Sequence, residues 1–294
     1  MKTIFVALIL YFSINPILSQ AQIKEDLSGQ GNPNSGLQDI SKQGSFFMTP
    51  YYQYSQFKNL KLISHTNTYE LYEGNAFYEF PENEIAEYND NFKTEYTNNL
   101  AGIRLGYQVL KGISISAFVG VNNFVAKSWI SEESSQKAST KYPSFTYGAA
   151  INYYRKLKDN LFLIGFGSFT GINTSNLKEE NDTAEEIIAS KINALYWDAD
   201  IGLTYEIGKF FPYAGVGFTQ LYLRKVTTEQ IPVIDDLGNP FNNQTTFDSQ
   251  VRGNGFYGFA GFEYKLLKKL SIYARGTFPN PVRVTTGVKM NFDL

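Results

Sequence analysis

The chain of 294 residues holds one histidine, His65, and no cysteine. These counts remove thiolate zinc sites, iron–sulfur clusters, cysteine nucleophiles and any metal centre built from several histidines. What is left is serine chemistry at Leu62-Ile63-Ser64-His65-Thr66. Ser64 and His65 are adjacent, so in a strand they point to opposite faces. A nucleophile–base pair would need its second member from another segment, and no motif supplies one. An exposed loop histidine is the expected state. Catalysis is therefore the weakest function class, and neither a cofactor nor a metal site is expected.

Two other sets of titratable residues stand out. Segment 58–97 carries Glu70, Glu73, Glu79, Glu82, Glu84, Glu87, Asp90 and Glu95, interleaved with Tyr69, Tyr72, Phe77, Tyr78, Phe80, Tyr88, Phe92 and Tyr96. Its spacing is not that of a calcium loop. The aromatics suggest a segment that packs, part of it extending the adjoining strands. The second set is Arg104, Asp198, Asp200, Glu206, Glu263, Arg275, Arg283 and Lys289. Each falls on the polar side of a segment with a period of two. Positive and negative charges balance, which suits an enclosed interior where charges must pair. Structural pairing is favoured over solute selection.

The elements that carry these charges read as β-strands. In Ala194–Ile207, one face is Leu195, Trp197, Ala199, Ile201, Leu203, Tyr205 and Ile207. The other holds every charge. Val282–Leu294 repeats the pattern, with Arg283 and Lys289 opposite Val282, Val284, Val288, Met290 and Phe292. Weaker copies lie at Ser45–Phe57, Leu100–Val109, Ile113–Phe124, Ser144–Tyr154, Leu161–Phe169, Phe210–Arg224, Gly253–Tyr264 and Leu270–Phe278. In Leu161–Phe169 the apolar face is read as Phe162, Ile164 and Phe166. Short connections alternate with mostly long ones, at 58–97, 127–143, 170–192 and 225–251. Glu179–Ile192 is the one stretch with a possible short helix.

Ten strands joined in this way form an antiparallel meander whose edges are hidden by closure. The apolar faces carry no charge, and their aromatics gather near the strand ends, as at two membrane–water interfaces. A secreted lipocalin-like barrel would carry more Lys and Glu outside. The expectation is thus an all-β, up-and-down transmembrane β-barrel of ten strands. Eight is the alternative if the first strand is misplaced. With strands about 4.8 Å apart and tilted by about 40–45°, the backbone radius is about 10–11 Å. Large inward residues such as Tyr51, Tyr196, Tyr213, Tyr257 and Tyr273 would fill much of it.

Ahead of the strands, residues 1–21 read as a secretory signal peptide. It has Lys2, an apolar run Ile4–Phe12, and Ser19-Gln20-Ala21 before a cleavage at Gln22. Residues 22–44 read as a flexible periplasmic leader, and 45–294 as the barrel. Net charge is −2, too small for a nucleic-acid binder driven by phosphate neutralisation, so no nucleic-acid partner is expected. The charge is polarised: Lys111, Arg155, Lys156, Lys158, Lys209, Lys265, Lys268 and Lys269 sit at the short turns. The long connections are acidic.

Over about residues 45–294 the sequence resembles the small outer-membrane β-barrel proteins of Gram-negative bacteria. The C-terminal pattern Thr285-x-Gly287-x-x-Met290-x-Phe292 is similar to that family's assembly signal. The family usually ends on an aromatic, whereas here Asp293-Leu294 follow. The resemblance implies an assembly signal at Gly287, Met290, Phe292 and Leu294 and insertion from the periplasm by the barrel-assembly machinery. It also implies outer-membrane lipid and lipopolysaccharide as surroundings. The function expected is a barrel with a narrow or filled lumen and a structural or surface-binding role, its external ligand left open. A narrow porin-like channel for small solutes is the runner-up.

Overall fold

A strand in lipid must find a partner for every backbone N–H and C=O, and a closed ring achieves this with no edge left over. The computed structural model describes residues 44–71, 74–79, 93–131, 134–140, 143–181, 189–234 and 240–292. The signal peptide and nearly all of the leader lie outside them. The strands are β1 (Phe46–Phe57), β2 (Lys61–Leu71), β3 (Gly74–Glu79), β4 (Lys93–Leu110), β5 (Ile113–Ser131), β6 (Ser134–Thr140) and β7 (Ser144–Lys158). They continue with β8 (Leu161–Asn181), β9 (Ala189–Tyr205), β10 (Phe210–Ile234), β11 (Pro240–Leu267), β12 (Leu270–Pro279) and β13 (Val282–Phe292).

Ten of these close an antiparallel ring in the order β1–β4–β5–β7–β8–β9–β10–β11–β12–β13, and β13 pairs back to β1. The seam runs from Phe46↔Phe292 to Gln56↔Val282. The barrel thus has ten strands, and the first strand, the least regular in sequence, completes it. At the short turn after β4, Gly112 has φ +81°, and a Cβ there would lie 2.1 Å from the Tyr154 carbonyl oxygen. A side chain is excluded at that turn.

The barrel is apolar outside and polar inside. Along β5, Ile115, Val119 and Val121 are 51%, 52% and 53% exposed, whereas Phe118 and Asn122 are 4% and 1% exposed. Two aromatic levels bound the apolar band. Near the short turns, Phe46 packs on Tyr107 with centroids 5.0 Å apart, and Phe210 on Phe262 at 5.6 Å. At the other end, Trp197 donates to Gln220 (3.1 Å) and Tyr52 to Asn99 (2.7 Å). Rings with a polar handle suit an interface. Trp197 to Tyr205 at about 3.3 Å per residue and about 40° of tilt spans about 20 Å, close to the apolar band of a membrane barrel.

Beyond the Trp197 level the pattern inverts. Lys191, Asn193 and Arg224 are exposed, while Ile192, Ala194, Leu221 and Leu223 are buried. There the ring has water outside and an apolar interior. The segments read as long connections are in fact mostly sheet. β8 runs to Asn181, and β10 pairs with β11 from Phe210↔Tyr264 out to Ile234↔Pro240. β6 continues the wall beyond β7 by pairing with β5 and β8. β2 pairs with β11 and carries β3 on its other edge. The described ends of the proposed helix, 179–181 and 189–192, are strand.

One face assignment is corrected. Phe162 is 5% exposed and clusters with Phe211 and Tyr154 inside the barrel, so Phe162, Ile164 and Phe166 point inward. Both faces of Leu161-Phe162-Leu163-Ile164 are apolar, so polarity alone does not choose between them. The outward residues at mid-band are therefore Ile201, Val216 and their neighbours. Val216→Arg should lower the unfolding free energy by about 2–4 kcal/mol in lipid vesicles, the cost of a lipid-facing cation at the midplane. Unchanged denaturant midpoints would show that this face does not meet lipid.

Candidate functional site

The inward residues form three successive levels along the axis. At the end bearing the strand extensions, side chains from eight strands meet in one apolar cluster. It includes Phe57, Tyr96, Phe124, Ile172, Ile192, Tyr196, Leu221 and Val251. Tyr96, Phe124, Ile192 and Leu221 have no exposed surface. Tyr96 lies 4.6 Å from Phe124 and 5.6 Å from Phe57 between ring centroids. Burying each such side chain contributes about 1.5–3 kcal/mol. This layer was not identified from the sequence. Its signal is present, because the inward positions of β9 and β10 turn from Asp198 and Thr219 to Ala194, Ile192, Leu221 and Leu223.

Below it lies the charged level. The period of two on β9 stacks Asp198 above Asp200 on the inner face. The hairpin of β12 and β13 presents Arg275 and Arg283 to them. Arg283 donates through both terminal nitrogens to Asp198, at 3.0 and 3.3 Å, and both side chains are nearly fully buried. Ser168 adds a hydrogen bond to Asp198 at 3.3 Å. Arg275 donates to Asp200 at 2.6 Å, and the Tyr257 hydroxyl donates to its other oxygen at 2.5 Å. The Arg275 guanidinium lies 4.2 Å from the Phe259 ring centroid. The Arg283 guanidinium faces Tyr196 at 5.4 Å. Paired charges with extra donors are the form in which ions persist in a low-dielectric enclosure.

The third level faces the short turns. Lys289 approaches Glu263 at 4.0 Å, and Ser271 donates to Glu263 at 2.6 Å. Arg104 forms no ion pair among the described residues and stands among the rings of Tyr51, Phe118 and Phe166 at 5.4–5.5 Å. Glu206 lies at the β9–β10 turn, where its backbone N–H donates to the Asn160 carbonyl and the charges of Lys156 and Lys265 act on its carboxylate. The eight charges therefore comprise three pairs, one aromatic-framed arginine and one turn glutamate.

The remaining candidates fall elsewhere. His65 Nδ1 lies 2.7 Å from Ser249 Oγ, its direct cross-strand neighbour, with Phe247 stacked alongside. The structure thus gives His65 a serine from β11 rather than Ser64. Acyl transfer would also require donors aimed at an oxyanion. Of the acidic segment, Glu95 pairs with Lys58 at 3.8 Å. Glu73, Glu82, Glu84, Glu87 and Asp90 lie outside the described residues. No group of three or more potential metal ligands occurs among the described residues. In β13, Gly287 faces Tyr273, where a Cβ would come within 2.7 Å of the ring. Met290 pairs with Met48 and Phe292 with Phe46, while Leu294 lies outside the described residues.

The closed ladder, the apolar exterior and the paired interior define a transmembrane β-barrel protein. In overall structure the chain is similar to the translocator domain of the autotransporter NalP from Neisseria meningitidis, at 10% identity and a TM-score of 0.39, over 97% of this chain and 98% of that one. It is also similar to the outer membrane protease OmpT from Escherichia coli, at 10% identity and a TM-score of 0.41, over 90% and 99%. A third is the outer membrane protein OprG from Pseudomonas aeruginosa, at 10% identity and a TM-score of 0.38, over 87% and 99%. No protein-family model and no curated protein matches the chain. With likenesses this distant, the class rests on the ladder itself.

The Asp198–Arg283 pair gives a direct test of the charged level. Asp198→Asn should cost about 3–5 kcal/mol of stability, because it leaves a buried guanidinium uncompensated. Asp198→Leu combined with Arg283→Met should cost less than either single change. Additive losses in equilibrium unfolding would show that the two side chains act independently.

Proposed function

We propose that this protein is an outer-membrane β-barrel of a Gram-negative bacterium with a sealed lumen, acting structurally or as a surface-binding protein through its extended sheet. The apolar cluster of Tyr96, Phe124, Ile192 and Leu221 carries this reading. It joins opposite walls of the ring and leaves no wetted surface on those four side chains. A hydrated ion crossing that layer would lose its water with no charged group of the cluster, only the hydroxyls of Tyr96 and Tyr196, to replace it. The extension of β8, β9, β10, β11 and β2 beyond the membrane level provides a broad polar sheet for contact outside. Outer-membrane lipid and lipopolysaccharide surround the barrel in this reading, and the barrel-assembly machinery inserts it, with β13 closing the ring. Export depends on the signal sequence of residues 1–21, and no enzymatic activity is assigned.

A narrow channel for small solutes is the second reading. A lumenal cavity near the short turns favours it. The two separate in a planar bilayer. The refolded protein should show no stable unit current, and Tyr96→Ala with Phe124→Ala should introduce one. Regular unit steps from the unaltered protein would establish the channel instead.

A further inference from the structure

The lumen is not filled throughout. Near the short turns it contains a cavity of about 260 Å³ that reaches Gln108, Gly112 and Asn152. Eight of its twenty lining residues are aromatic, Phe47, Phe166, Phe211 and Tyr213 among them. Four charged side chains line it: Arg104, Lys289, Asp200 and Glu263. Both carboxylates are already engaged. Asp200 holds Arg275 at 2.6 Å and Tyr257 at 2.5 Å. Glu263 holds Ser271 at 2.6 Å and faces Lys289 at 4.0 Å.

Arg104 is the exception. Of the four cations Arg104, Arg275, Arg283 and Lys289, it alone lacks a carboxylate among the described residues. Its Nε is buried and has no hydrogen-bond partner. The three ring faces around it attract a guanidinium but accept no conventional hydrogen bond, and the buried Tyr51 hydroxyl is itself without a partner. On another wall of the cavity, the Tyr154 hydroxyl is also buried and without a partner. A lumenal space with one positive charge uncompensated among the described residues, and with unused donors, is short of one anion.

We propose that this cavity binds a small organic monocarboxylate, with the carboxylate on Arg104 and an apolar body against the aromatic walls. The residues set the class. A planar guanidinium fork matches a carboxylate. One cation without a carboxylate among the described residues calls for one negative charge, and Asp200 and Glu263 oppose a second. The apolar walls add affinity only for a ligand with an apolar body. A cavity of about 150 Å³ accommodates benzene, so this larger one has room for a single ring and its carboxyl group. The site goes beyond the role proposed above and does not depend on it, because a ligand arriving from the short-turn side never meets the apolar layer.

The test uses the full chain refolded in detergent micelles, with 4-fluorobenzoate as probe and fluorine NMR line width as readout. Saturable broadening is expected. The neutral 4-fluorobenzamide should bind about tenfold more weakly or worse, as loss of a charge-assisted hydrogen bond implies. That comparison uses the unaltered chain and so does not depend on a variant folding. Arg104→Met should weaken 4-fluorobenzoate binding by a similar factor, and inorganic phosphate at equal concentration should not displace the probe. Equal binding of acid and amide, unchanged binding in Arg104→Met, or displacement by phosphate would each overturn the proposal.

Discussion

The seam between β1 and β13 is the contact on which the rest of the structure depends. Without it, both strands would leave a row of unpaired N–H and C=O groups in hydrocarbon, each costing several kcal/mol. With it, Phe46↔Phe292 through Gln56↔Val282 complete the ladder, and the exterior needs only apolar side chains. Closure also creates the interior. Once ten strands form a ring, every second residue is turned away from lipid into a space of limited radius. Those residues must satisfy one another.

The interior meets that demand differently at each depth, according to what lies outside the wall. Where the wall faces lipid, the inner face carries the polar groups, and Asp198, Asp200, Arg275 and Arg283 neutralise one another. Where the wall rises beyond the Trp197 level, water lies outside and the inner face becomes an apolar core around Tyr96 and Phe124. One continuous strand such as β9 crosses this boundary without breaking its period of two. Only the sign of its amphipathicity changes. The barrel is thus a membrane barrel and a soluble-type barrel built on the same strands. Its seal belongs to the second part.

Much of this was legible in the sequence and some was not, for identifiable reasons. Alternation with all charge on one side, as in Ala194–Ile207, fixes both strand and facing, and the ten ring strands lie where such segments occur. Leu161–Phe169 misled because Leu163 and Phe162 are equally apolar, so their facing is set by packing against Phe211 and Tyr154 rather than by polarity. The extensions of β8, β10 and β11 read as connections because an expectation of lipid outside finds no apolar face there. The period persists in Leu221, Leu223 and Thr227, all buried, but with the opposite sense. The charges of the lumen could be selected from their face, but not their partners. Pairing across a ring depends on stagger, which spacing along one strand does not reveal. Arg104 shows the limit most plainly. Its charge looked like one of a balanced set, yet Glu206, which would have balanced it, sits at a turn.

The central claim is that alternate residues of each ring strand meet lipid and lumen. The chain has no cysteine, so single Cys substitutions carry a nitroxide label without background. The most direct measurement is a label scan along β5 in vesicles, from Ile115→Cys to Asn122→Cys, reading collisions with oxygen against those with a water-soluble nickel complex. Oxygen should dominate at 115, 117, 119 and 121, and oxygen contact should fall at 116, 118, 120 and 122. A scan without that period, or with its phase reversed, would contradict the account.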